Sequence, residues 1–476
     1  MRRPGRERTL GALSGILIAM ATPAVAHADQ LLEGETLSVP AGQGGVVSDS
    51  AASGGQALKL WSGATATTQI DAAAPYGRIW LHAKGMPCDG SGPAVRITVD
   101  GRSTSVGVWS PTAYRDFEAF IDITSGVHSL GIAVTNYVSD SGSLLLHSPC
   151  DRSLVLDSVT FKPTAALFAA DSWRNRPFPD TEAVDPNSAA YVTELQREVH
   201  DAGAWVNTSN FSTPVYTAGV QVAPRQVEVD QLSDPLHAAS STTAAALRAQ
   251  WSNVPLPGGA RPSGGSDASL VVYQPATDTM WEFWRFSYDV LGNPRAVYGG
   301  RIEHVSQSPA YYQDPPAGPG RSFGAASTSI PLLAGVQRIG ELQTGEIDHA
   351  VDFSAPGWQE NLFRWPAQRT DDASMFYSPP SQPLPEGIRF RLPPSLDIDA
   401  LGLPPYTRML AKAVQRYGMI MDNAGGAVAF NAESPKPGQP DPYGGSSGIF
   451  GGQRPDQLLA SFPWDRLEAI ADSGQP

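Results

Sequence analysis

Cysteine is nearly absent: Cys88 and Cys150 are the only two in 476 residues. So few thiols leave no Cys-rich zinc site and no redox motif. Charge is scarce too, at 17% of residues, and the cationic share is the smaller, 33 Lys and Arg against 47 Asp and Glu. That balance argues against nucleic acid, whose backbone must be met by Lys and Arg, although a local basic groove on an acidic protein can still hold an anionic polymer. Beyond the first 28 residues no run reaches the roughly 18 apolar residues that a membrane span needs. There is no His-Glu-x-x-His site, phosphate loop or dinucleotide fingerprint. Gly444-Gly445-Ser446-Ser447-Gly448 has the letters of a nucleophile elbow but sits in Gly/Pro-rich coil, with no strand before it or helix after it. No Ser/His/Asp arrangement supports a peptidase or esterase.

Glycine and proline, by contrast, are plentiful at 47 and 42, which marks a turn-rich chain and argues against long helical bundles. Arg2, Arg3, Arg6 and Arg8 precede the apolar stretch Leu10 to Ala21, and Ala26-His27-Ala28 has the small-x-small form of a cleavage site. Residues 1–28 are therefore expected to be an export signal. Its removal takes away four arginines and one glutamate and moves the net charge from -14 to -17. In an exported chain a lone cysteine pair is most simply one disulfide, Cys88 to Cys150. About 450 mature residues predict two or three domains.

Residues 30–163 read as a β-domain. Ala57 to Trp61, Arg78 to Ala83, Ala94 to Val99, Arg115 to Ile123, His128 to Thr135 and Leu154 to Phe161 alternate apolar with polar residues. Asp100-Gly101 supplies a hairpin turn, and the spacing predicts a β-sandwich. Leu32-Glu33-Gly34-Glu35, Cys88-Asp89-Gly90, Val99-Asp100-Gly101, Val134-Thr135-Asn136 and Cys150-Asp151-Arg152 to Val159 resemble the calcium-dependent xylan-binding group of carbohydrate-binding modules. The resemblance covers nearly all of residues 31–163. It implies a jelly roll and a calcium ion that helps coordinate sugar hydroxyls, as a hard cation with oxygen ligands can. Asp89 and Asp151 follow the two cysteines, and the loop from Asn136 to Ser143 adds Asp140; these three are the expected metal ligands. Glu33 and Glu35 read either as a second, structural calcium site or as a solvated first strand. Trp61, Trp80 and Trp109 are either core or sugar platforms.

From residue 168 to 434 the regular strand spacing gives way to a mixed α+β pattern. Asp185-Pro186 followed by Tyr191, Leu195 and Val199 predicts one helix, Ser241 to Trp251 another, and Pro404-Pro405 through Tyr417 a third that ends at Gly418. Between them, Ser269 to Gln274, the turn Pro275 to Asp278 and Thr279 to Phe286 predict a hairpin. Its second strand places Met280, Glu282, Trp284 and Phe286 on one face. A carboxylate among aromatics suits a general acid, so Glu282 is the first catalytic candidate, the alternative being a residue at a solvated edge or paired with a core arginine. Asp348 and His349 are the other two, with His349 equally readable as a core histidine. Trp284, Trp365 and Arg369 are candidates for holding sugar. This half resembles a group of exported bacterial proteins sharing Tyr-Gly-Gly-Arg, Asp-His-Ala, Trp-Pro-Ala-Gln-Arg-Thr and Gln-Arg-Tyr-Gly segments, a group of unknown activity that lends no catalytic residue. Residues 435–476 are expected to be a Gly/Pro-rich linker and tail.

The expectation is thus a mainly β chain with some α: a sandwich that binds polysaccharide through calcium, then a larger domain that cleaves glycan by hydrolysis or β-elimination. A non-catalytic, exported glycan-binding or adhesion protein is the alternative.

Overall fold

A computed structural model describes residues 29–61, 63, 65–73, 76–140, 150–163, 167–312, 323–371 and 382–472. The expected export signal, residues 1–28, lies outside them. The chain is mainly β with some α, a β-sandwich followed by a larger mixed α+β part.

Two antiparallel sheets form the sandwich. One runs in the order Gly44–Ser48, Gln56–Leu60, Leu154–Pro163, Tyr76–Gly85, Ser110–Ile123, with Gln30–Glu33 also paired to Leu154–Pro163. The other runs Thr65–Ala72, Gly126–Val134, Ala94–Val99, Arg102–Gly107. Alternation along Tyr76–Gly85 turns Ile79, Leu81 and Ala83 inward to full burial, where they meet Val95, Ile97, Leu130 and Ile132 of the facing sheet. Each such side chain contributes roughly 1.5–3 kcal/mol when it leaves water, Ala83 less. A one-residue slip would turn the whole set outward. Cys88 and Cys150 are bonded, with Cα atoms 5.2 Å apart.

The larger part is built on a mixed six-stranded sheet in the order Ala204–Asn207, Val428–Asn431, Val351–Ala355, Met419–Ala424, Arg389–Arg391, Glu468–Ala469. A four-stranded sheet of Val215–Thr217, Leu270–Gln274, Thr279–Trp284 and Tyr298–Glu303 lies beside it. The helices Ser188–Ala202, Ser241–Gln250 and Pro405–Arg416 stand where the apolar spacing places them. Gly299 sits opposite Phe283 with φ 152°, and a Cβ there would meet the Glu282 carbonyl at 2.0 Å, so the paired strands need glycine to close.

Two findings go beyond the expected layout. The terminal segment does not behave as a linker: Tyr443, Phe450, Phe462 and Trp464 are buried in the same apolar cluster as Phe353 and Phe430, and Glu468–Ala469 adds a strand to the six-stranded sheet. Aromatics spaced among the glycines give that segment an apolar area worth burying. The sandwich is also joined to the larger part by side-chain bonding at its edge strand. The Glu118 N–H donates to Gln221 Oε1 at 3.2 Å, Gln221 Nε2 donates to the Glu118 carbonyl at 3.0 Å, and the Val220 N–H reaches the Glu118 carboxylate at 3.3 Å. Arg78 holds the same carboxylate at 2.6 Å.

Candidate active site

A cavity of about 940 Å³ opens in the larger part. Its walls combine Trp205, Phe211, Trp284, Tyr298 and Phe363 with the amides of Asn207, Asn423 and Asn431. Asp267, Glu360 and Asp371 bring carboxylates, and Arg369 and His237 bring nitrogen. Strand ends deliver much of this set: Trp205 and Asn207 from Ala204–Asn207, Trp284 from Thr279–Trp284, Asn423 from Met419–Ala424, Asn431 from Val428–Asn431.

Asp371 is the carboxylate most firmly built in. It accepts from Ser327 Oγ and from the Ala424 N–H, each at 2.8 Å, and its own N–H donates to Glu386 Oε2 at 2.8 Å. Burial raises the Asp371 pKa, as does the charge of Asp267, while Ala424, Ser327 and Arg369 oppose the rise. Behind it lie Glu386, Asp422 and Asp352, all at most 2% exposed, with Glu386 Oε1, Asp422 Oδ1 and Asp352 Oδ1 buried and unpartnered among the described residues. Burial, then the charge of Asp371, pushes Glu386 up to about 9. Burial followed by neighbouring carboxylates raises Asp422 well above the usual range, and burial also raises Asp352. Ionised acids are costly in such a place, so protons are retained there.

His237 reaches the cavity from the segment after Glu228–Val229. Its Nδ1 lies 2.7 Å from Asp234 Oδ2, and its ring stands edge-on to Trp284 with centroids 5.5 Å apart. Arg285 pairs with the same Asp234 carboxylate and lies 4.4 Å from the Trp284 ring centre. Trp284 in turn donates from Nε1 to Asp267 Oδ1 at 3.2 Å.

Of the residues singled out from sequence, Trp284 and Arg369 line this cavity. Arg369 also braces it, donating to the carbonyls of Gly324 and Ala326 at 3.3 and 3.0 Å and lying 4.9 Å from the Tyr298 ring centre. The other four stand elsewhere. Glu282 is fully buried behind the wall, where its oxygens accept the N–H groups of Ala325 and Leu332 at 2.8 Å each; burial pushes it up to about 7, with those N–H groups and Tyr312 opposing. His349 is 1% exposed and bonded to the Ala350 carbonyl at 2.7 Å and to Glu341 at 3.1 Å, so it is a core histidine. Glu341 is held at about 2: burial opposes, but His349, Arg174 and Arg338 prevail. Asp348 is exposed near Tyr417. Trp365 lines a separate 30 Å³ recess with Arg364 and Arg389. Asp234, His237, Asp267 and Asp371 were not singled out. The Asp-x-x-His spacing of the first two was the one signal within reach.

In the sandwich, the expected calcium set does not assemble. Asp89 lies near the two sulfurs, but those are bonded to each other and are not thiolate ligands. Asp151 pairs with Lys59 at 3.1 Å, and the Asp140 side chain lies outside the described residues. Asn136 is committed to the backbone of Ala94 and Gly92, and Arg152 ties the carbonyls of Cys88, Ser91 and Asn136 together, which makes this end a structural clamp. A second group of carboxylate oxygens lies around Ser53. The Ser53 hydroxyl bonds Glu33 at 2.8 Å and Asp157 at 3.1 Å, its N–H donates to Asp157 at 2.7 Å, and the nearby Glu35 has a buried oxygen without a partner among the described residues. Oxygen is the ligand type a hard cation takes, though the three carboxylates do not close into one group of ligating distance.

No family model matches the chain, and no curated protein does. Among solved structures it is similar to a family 36 carbohydrate-binding module in complex with calcium and xylotriose, at 14% identity over 28% of this chain and 99% of that one, with a TM-score of 0.22. A family 35 carbohydrate-binding module from Clostridium thermocellum gives 10% identity over 29% of this chain and 100% of that one, with a TM-score of 0.23. An exo-β-1,3-galactanase from Phanerochaete chrysosporium with galactose gives 19% identity over 28% of this chain and a TM-score of 0.21; the match spans only 29% of the galactanase. At these scores the overlaps carry no assignment for this chain.

Proposed function

We propose that this is an exported carbohydrate-active protein that hydrolyses glycan in the 940 Å³ cavity, with Asp371 as proton donor. The observation that carries the reading is Asp371 itself, a carboxyl with a raised pKa at the wall of a cavity lined by aromatics and amides. Aromatic faces suit the apolar faces of pyranose rings, amides suit their hydroxyls, and an upward shift is the direction a carboxyl needs to protonate a leaving group. Hydrolysis is favoured over elimination by charge. Elimination acts beside a uronate carboxylate that cations must neutralise, whereas among the described residues Asp267, Glu360 and Asp371 outnumber Arg369, the only lysine or arginine there in the lining. The substrate is accordingly an uncharged glycan. Incubating the mature protein with neutral and uronate polysaccharides tests this: reducing ends from neutral polymers, lost in Asp371→Asn, support it, and unsaturated products from uronates reject it.

We propose calcium at Glu33, Glu35 and Asp157, whose carboxylates would draw closer around the ion and tie the first strand to the Ser53 turn. Calcium should raise the melting temperature and chelator should reverse the rise; Glu35→Gln should abolish both.

A binding-only role is the second reading. Trp205, Phe211 and Phe363 remain 36%, 50% and 44% exposed at the cavity, as a sugar platform requires. Retention on a neutral polysaccharide without any released ends would favour it.

A further inference from the structure

Hydrolysis needs a second group, one that takes a proton from water as Asp371 gives one away, and the cavity lining offers His237, Asp267 and Glu360 for that task. We propose that His237 is the base and Asp234 the residue that positions it, a deeper claim that rests on the hydrolytic reading above. In the step, the water oxygen bonds to the anomeric carbon as the bond from that carbon to the leaving oxygen breaks. The water proton passes to His237 Nε2, and the Asp371 proton passes to the leaving oxygen. One displacement of this kind inverts the anomeric centre.

The geometry favours the histidine. Asp234 faces Nδ1 at 2.7 Å, so the tautomer with hydrogen on Nδ1 is the one it selects, which leaves Nε2 as the acceptor on a half-exposed residue of the cavity lining. Among the described residues Nε2 has no partner. Asp234 is itself 7% exposed and paired with Arg285, and although burial opposes it, His237 and Arg285 hold its carboxyl below the ordinary range. It therefore stays an anion through the pH range in which a histidine base would work. The supporting loop is closed at both ends: Asp230 Oδ1 accepts the N–H groups of Leu232 and Ser233 at 3.1 and 3.0 Å, and Gln231 Nε2 donates to the Ala239 carbonyl at 3.0 Å. The charged groups around the imidazole are Asp234 and Arg285 beside it and Asp267, Glu360, Asp371 and Arg369 across the cavity. Of the two rival carboxylates, Asp267 already accepts from Trp284 Nε1, and Glu360 stands exposed on the strand Trp358–Phe363.

The test uses the intact mature chain and a neutral polysaccharide from which wild type releases reducing ends. His237→Gln should lower kcat by about 10²–10⁴-fold with KM within about threefold, the range of general base catalysis. Asp234→Asn should lower kcat by about 10²-fold, and ¹⁵N imidazole spectra should show loss of the Nδ1–H tautomer seen in wild type, a change a merely structural role would not produce. Product NMR should show the inverted anomer first. His237→Asn is the second variant should His237→Gln not fold. The proposal is overturned if both soluble His237 variants keep kcat within about threefold of wild type, if Asp267→Asn carries the larger loss and is rescued by azide, or if the first product retains configuration. Wild type that releases no ends from any glycan rejects the hydrolytic reading instead, a different result from an active wild type indifferent to His237.

Discussion

Replacing Glu386 by glutamine should flatten the dependence of stability on pH. Glu386 is fully buried and its carboxyl is pushed from an ordinary 4.5 to about 9. With the folded value raised, the native chain keeps a proton that the unfolded chain has already released. The stabilisation is therefore complete below about pH 4.5 and is lost as pH climbs toward 9. Each pH unit inside that window costs about 1.36 kcal/mol. Between pH 5 and 8 one independent group would cost about 4 kcal/mol, and because Asp371 and Asp422 interact with the same proton a loss of roughly 2–4 kcal/mol is expected. Glutamine retains an oxygen for the Asp371 N–H and puts N–H where the acid carries its proton, yet it does not titrate. Glu341 and Glu433, whose values are lowered, have delivered their stabilisation by about pH 5, whereas Glu282, Asp352 and Asp422, raised like Glu386, also lose stabilisation inside the window. Urea unfolding followed by tryptophan fluorescence at pH 5, 6, 7 and 8 reads the difference: both proteins lose stability to the other raised carboxyls, and wild type loses roughly 2–4 kcal/mol more than Glu386→Gln. Parallel curves for the two proteins would refute the account of a retained proton.

Glu282→Gln should turn one amide N–H toward a backbone N–H of Ala325 or Leu332, costing about 2–4 kcal/mol of stability from an unmade buried bond; a melt distinguishes this from a purely catalytic loss. Replacing Cys88 and Cys150 by serine should destabilise the sandwich by up to about 4 kcal/mol for a 62-residue separation, measured by denaturant unfolding. Trp284→Ala should raise KM for glycan by about tenfold or more through the lost ring face, with the fold intact by circular dichroism.

Local pattern was a sound guide wherever one face of an element is wet. The helix through Tyr191 and Leu195 and the strands around Ile79 and Leu81 follow directly from spacing. Glu282 shows where that reasoning stops. Alternation identified its strand and face, but Thr279–Trp284 is covered on both sides, with Trp281 bonded to the Gln250 carbonyl and Glu282 to the segment around Ala325 and Leu332. An aromatic setting therefore meant a wall interior rather than a cleft. Asp371 lay in a segment already noted for Arg369, yet its character depends on Glu386 behind it and Asp267 beside it, groups that only the tertiary fold brings near. His349 stood in a conspicuous Asp-His-Ala run, but Glu341 and the Ala350 carbonyl occupy both its nitrogens. In the tail, Tyr443, Phe450 and Trp464 were the signal that glycine content obscured.

The clasp between Glu118 and Gln221 has a consequence for polymers. A glutamine amide occupies the bonding positions that another strand would take on the outer edge of the sandwich. The sandwich is thereby indexed to the cavity like a jaw to an anvil instead of wandering on a leash. On the proposed hydrolytic reading, a saccharide chain held by both would meet the proposed acid and base at one set interval, and fragment lengths should cluster around the number of sugar units that fits it.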